Sequence, residues 1–188
     1  MPTKTKTFAW LMMTSALLIF TGSQAVASGA ASDEAEVRGV VQKVFEQLKS
    51  RQYGELYDLL PANSRSRVSR ERFTERLKKT SNMYELERMQ IGAVRTSGDI
   101  AVVDTVIYGR VLQPIQSEGK IVAQQYLVRE DGRWRVATGD VATVRRFLAA
   151  NPRFKQKFPI RSPHVFIKRD GQWIDINALA APARRSTR

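Results

Sequence analysis

The 188-residue sequence has no cysteine and a single histidine, His164. Without cysteine there is no disulfide, no thiolate metal ligand and no cysteine nucleophile. With one histidine, a zinc site would have to be built almost wholly from carboxylates. A Ser-His-Asp relay would have to recruit His164, which sits between Pro163 and Val165 at an expected strand start. No glycine-rich phosphate loop is present. Metal, nucleotide and triad chemistry are therefore not expected, and neither is a cofactor.

Long apolar runs are scarce as well. The stretch from Phe8 to Phe20 is interrupted by Thr14 and Ser15, and it falls short of the roughly 20 residues that cross a bilayer. Lys4 and Lys6 precede it and Ala25-Val26-Ala27 comes after it, which is the pattern of a secretory signal peptide, residues 1–27. Cleavage after Ala27 is expected. No cysteine stands there to carry a lipid, so no stable membrane anchor remains. The mature protein is expected to be soluble in the periplasm or outside the cell.

Acidic residues are few: 18 against 31 Lys and Arg, a net charge of +13 that becomes +11 when Lys4 and Lys6 leave with the signal. In a cytoplasmic protein that excess would point to nucleic acid. Export replaces nucleic acid with phospholipid headgroups, envelope polysaccharides or acidic proteins as the anions within reach.

The chain beyond the signal has the usual length of one domain. Val37, Val40, Val41, Val44, Phe45 and Leu48 recur at helical spacing behind Asp33 and Glu36, predicting a helix over 34–50. Tyr53 to Leu60 reads as a second helix stopped by Pro61. Ser69 caps a third over 70–80. The period then becomes extended, with strands expected at 84–95, 100–110, 120–129 and 133–138, turning at Ser97-Gly98-Asp99 and Glu130-Asp131-Gly132. Asp140 caps a helix over 141–150, and a second hairpin turns at Arg169-Asp170-Gly171. The hairpin sequence Ile167 to Trp173 echoes Val128 to Trp134, which common turn chemistry accounts for. Residues 180–188 are small, basic and without periodicity, as in a disordered tail. The fold class is α+β: N-terminal helices packed on one face of a curved antiparallel sheet, plus a C-terminal helix and β-hairpin.

The order of Tyr53-Gly54-Glu55-Leu56-Tyr57-Asp58-Leu59-Leu60, Ser69-Arg70-Glu71-Arg72-Phe73, Gly98-Asp99-Ile100-Ala101-Val102-Val103 and the run from Tyr126 to Val136 resembles the nuclear transport factor 2-like superfamily. More narrowly, it is similar to the exported, mostly uncharacterised members of that group, and the resemblance covers about 34–140. It implies a cone-shaped domain over 28–140 whose helices and bent sheet enclose a pocket, with 141–179 as an extension of the same domain. That fold hosts isomerases, cyclases, dehydratases, carriers and assembly modules, so shape alone does not decide chemistry.

Two constellations bear on function. On the strand 100–110, Asp104 lies between Val102 and Val106, with Tyr108 on the same parity and Tyr126 on the next strand. A carboxylate in an apolar cavity beside a hydroxyl is the equipment of a proton-transfer enzyme, and burial would raise the acid's pKa. Ala101, Val103, Thr105 and Ile107 make the other parity equally apolar, so either face is a candidate interior. The second constellation is the acid-free segment from Val141 to Arg169. There Arg145, Arg146, Arg153, Lys155, Lys157 and Arg161 interleave with Phe147, Phe154, Phe158 and Phe166. Guanidinium groups beside apolar surface suit an anionic amphiphile or an anionic partner, whereas phenylalanines that merely plug a core would leave a solvated basic face. The expectation is an exported, non-catalytic binding or assembly module that meets an anionic envelope component or small ligand through residues 145–169. Alternatives are an isomerase-type enzyme using Asp104 with Tyr108 or Tyr126, and an envelope lipid carrier. A homodimer through the sheet is a further expectation.

Overall fold

Helix α1 spans Gln24–Lys49 and begins about ten residues before the expected start. The computed structural model describes residues 24–176 except Ile115 and Thr138, with side chains from residue 31 onward. Most of the signal peptide and the tail 180–188 lie outside the described residues. The early start has its cause in composition: residues 24–32 are rich in alanine, the strongest helix former. Asp33 is therefore inside the helix rather than capping it, and its carboxylate pairs with Arg129 instead. Val37, Val41, Val44 and Phe45 form the buried stripe.

Next along the chain come helices α2 (Tyr53–Asp58), α3 (Ala62–Arg65) and α4 (Arg70–Thr80). Pro61 ends one helical stretch and occupies the N-cap of the next, which is why α3 appears where only a stop was expected. Ser69 caps α4, its hydroxyl accepting from the Arg72 amide at 3.3 Å. Arg70 clamps α4 to α2 through both oxygens of Asp58.

The sheet comprises β1 (Tyr84–Ser97), β2 (Ile100–Val111), β3 (Ser117–Glu130), β4 (Arg133–Ala137), β5 (His164–Arg169) and β6 (Gln172–Asp175), all paired antiparallel. Their order is β1-β2-β3-β5-β6, with β4 also on β3. β4 pairs with Tyr126 to Glu130, and β5 pairs with Gly119 to Val122. Among the described residues, 123–125 of β3 have no strand partner on that side, so β4 and β5 read as one strand interrupted opposite them. Helices α5 (Val141–Ala150) and α6 (Arg153–Lys157) occupy the interruption. Both hairpin turns place an Asp-Gly pair at positive φ, Asp131 and Gly132 at 51° and 71° and Asp170 and Gly171 at 51° and 79°. The echo in sequence is thus the same tight turn used twice. Each turn also sets a cation over a cross-strand tryptophan, Arg129 on Trp134 and Lys168 on Trp173.

The N-terminal helices pack on one face of the sheet, as expected, and α5 and α6 pack on the other. Ala101, Val103, Leu127, Trp134 and Val136 pack with α1 and α2. Ile100, Val102, Tyr126 and Val128 pack on the opposite face with Phe147 and Leu148 of α5 and with Phe154 and Phe158. The two equally apolar parities of β2 are the signature of a strand buried on both sides. The C-terminal segment is a second helical layer, packed on the main sheet.

Candidate ligand-binding site

A cavity of about 880 Å³ opens beside the sheet, within the size range of small-molecule pockets. At one end Leu48 of α1, Leu56 of α2, and Phe73 and Leu77 of α4 form its wall. Ile107, Ala123 and Gln125 are its floor on the same face. It continues past the partnerless stretch of β3 to Tyr126, Val144, Leu148 and Ile160, which belong to the other layer. The interruption between β4 and β5 is what lets one cavity touch both layers.

Charge is distributed unevenly around it. Near the α4 end Arg110 is neutralised by Glu85 and Glu87. At the α5 end Arg145, Lys155 and Arg161 line the cavity. Arg161 pairs with Asp104 at 3.1 Å, whereas Arg145 and Lys155 make no ion pair among the described residues. The α5 end is therefore net positive.

Asp104 does not have the environment expected of a general base. Arg95 grips it with both nitrogens, at 2.8 and 3.0 Å, Gln124 donates to it at 3.2 Å, and Arg161 approaches from the C-terminal layer. The Arg95 guanidinium, joined by Gln124 and Arg161, holds its carboxyl below the ordinary value of 3.8 despite partial burial. An acid so stabilised in its charged form is a weak base. Tyr126 reaches this group only through Gln124, its hydroxyl donating to the Gln124 Oε1 at 3.2 Å. Burial, and then the Asp104 charge, push the Tyr126 phenol up. Tyr108 is not brought to Asp104: it lies four residues along the strand, about 13 Å away. It hydrogen-bonds Gln90 and lies under the Arg88 guanidinium. Of the two pairs foreseen for proton transfer, Asp104 with Tyr108 is not brought together, and Asp104 with Tyr126 is linked through Gln124.

What this network does is mechanical. Gln124, buried in the partnerless stretch of β3, donates to the Pro159 carbonyl at 3.1 Å and accepts the Arg161 amide at 2.8 Å. Its side chain thus replaces the missing strand, and Asp104 holds it in place. Because folding lowers the pKa of Asp104, the stability it contributes is present above the ordinary value of 3.8 and is lost as pH falls below it. Asp58, lowered chiefly by Arg70, and Asp140, lowered by the amide of Thr143, act in the same direction. The unfolding midpoint should stay level near neutrality and drop below about pH 4. Asp104→Asn should cost about 1 kcal/mol at pH 7 and flatten that acid limb, as denaturant titrations across pH would show.

The basic segment divides. Arg153 is spent on Asp99 at 2.7 Å, and Arg161 on Asp104. Arg146 reaches the Thr143 hydroxyl at 3.2 Å. Lys157 is exposed away from the cavity lining, and of this segment only Arg145 and Lys155 face the cavity as cations without an ion pair among the described residues. Phe147, Phe154 and Phe158 are buried in the second core, so they plug the fold and do not face a ligand. Gln124, which no motif singles out, is the residue on which the segment hangs; an amide among apolar residues in a strand is its one signal in the sequence.

No protein-family model matches the chain, and no curated protein matches it. Among solved structures it is similar to a SEC-C motif-containing protein from Rhodopseudomonas palustris, at 8% identity and TM-score 0.44, over 54% of this chain and 74% of that one. It is also similar to a protein of unknown function from Mycobacterium tuberculosis, at 13% identity and TM-score 0.43, over 70% of this chain and 96% of that one.

Proposed function

We propose that this chain is an exported, non-catalytic binding module of nuclear transport factor 2-like architecture, holding a ligand in the cavity next to the basic segment 145–169. The observation that carries this reading is the apolar cavity of about 880 Å³ lined at one end by Arg145 and Lys155, which make no ion pair among the described residues. The absence of a free, desolvated acid at Asp104 favours binding over proton transfer. Export rests on the pattern of residues 1–27, and no described helix is long and apolar enough to cross a membrane.

Nile red, an uncharged apolar dye, should bind saturably and gain fluorescence with the purified protein. Ile121→Trp, at an exposed position on the cavity lining, should abolish that signal while leaving the circular dichroism unchanged. Binding indifferent to this change would remove the cavity from the proposal. N-terminal sequencing of exported protein should begin at Ser28, and recovery of Met1 in a membrane fraction would count against export.

A further inference from the structure

We infer that the ligand is a single-chain amphiphile with a carboxylate head, its chain lying between α4 and the sheet and its head held by Arg145 and Lys155; this rests on the binding reading above. Besides Arg145, Lys155 and Arg161, the cavity lining carries Lys120, whose ammonium lies over the Phe166 and Trp173 rings of the C-terminal hairpin. The cavity's α4 end offers Leu48, Leu56, Phe73 and Leu77, and the one cation at that rim, Arg110, is outnumbered by its partners Glu85 and Glu87. Its α5 end offers two cations with no acid on them among the described residues. The other cations of the segment that approach Asp99 and Asp104 are already paired. An uncharged apolar ligand would leave Arg145 and Lys155 unused, and a free small anion would leave the apolar end empty. A carboxylate joined to one alkyl chain uses both, with the arginine able to take its two oxygens together. The partnerless stretch of β3 gives such a chain a route from one layer to the other.

The test compares palmitate, 1-hexadecanol and acetate by displacement of Nile red in 0.15 M salt. Palmitate should bind at least about tenfold tighter than hexadecanol, the factor expected of a charge-assisted contact. Acetate should not displace the dye. The double change Arg145→Glu, Lys155→Glu, at exposed positions, should erase the preference for palmitate and leave hexadecanol unchanged. Lys78→Glu with Lys79→Glu on α4 should alter neither. Equal affinity for palmitate and hexadecanol would overturn the head-group inference and leave the binding reading standing. A preference that survives the double change would overturn the assignment to Arg145 and Lys155. Failure of Nile red and both long-chain probes to bind would overturn the binding reading itself.

Discussion

Phe154→Ala is expected to lower the free energy of unfolding by about 3–5 kcal/mol, a large part of what a domain of this size possesses. Phe154 has no exposed surface. Its ring lies 5.5 Å from that of Phe147, 5.7 Å from Tyr126 and 6.2 Å from Phe158. Helix α6, which carries it, is five residues long and far too short to persist without tertiary packing. Truncation leaves a void at the centre of the second core, where three aromatic neighbours cannot all collapse inward. The effect should also be local in origin. If the α5–α6 layer loosens before the rest, the denaturant slope of the main transition should fall along with its midpoint. Nile red binding should weaken with it, since Leu148 and Ile160 line the cavity from that layer. A loss under about 1 kcal/mol would mean that the second layer contributes little, contrary to its burial.

Gly109→Val should be about as damaging, for a reason unrelated to apolar burial. A Cβ at this position would lie 2.2 Å from the carbonyl oxygen of Glu85, and that neighbour is backbone, with no rotamer to give way. The clash falls beside the register shift between Leu86 and Arg88, where β1 bulges against β2. Accommodating a side chain means prising the edge strand from its neighbour, and about 3 kcal/mol or more is expected. Gly54→Ala is the matching control. Nothing lies within 4 Å of a Cβ there, and the position is inside α2, so alanine should stabilise by about 0.5–1 kcal/mol. Thermal melts of both variants decide the matter, and equal effects would show that the bulge tolerates a side chain.

Much of the architecture is legible in the sequence because local signals and tertiary packing agree. Ser69 and Asp140 cap α4 and α5 as expected, and both Asp-Gly turns open hairpins. Which layer each apolar parity of β2 faces is not legible, because a strand buried on both sides has no polar face to mark its orientation. The role of Asp104 is hidden for a related reason: its partners Arg95 and Arg161 lie 9 and 57 residues away, and one residue's neighbours in sequence do not disclose such pairing. The start of α1 departs from expectation because a capping pattern at Asp33 competes with alanine-rich sequence before it, and propensity prevails. The cavity's electrostatic asymmetry depends on which cations are already paired, which is a property of the fold.

The interruption opposite residues 123–125 has a consequence for how this chain can vary. β4 ends against Tyr126 and β5 resumes against Val122, positions about 13 Å apart along one strand. Four or five extended residues would bridge that distance. Residues 139–163 are therefore an excursion that leaves and rejoins the sheet along one strand, and their length does not enter the strand order. Insertions in the loops of the layer that bears Arg145 and Lys155 would therefore leave the register of the remaining strands unchanged, provided that its core residues Phe147, Leu148, Phe154 and Phe158 stay on the sheet. On the binding reading proposed above, the residues that meet the ligand head would sit in this one excursion, and the scaffold strands would be unaffected by changes to them.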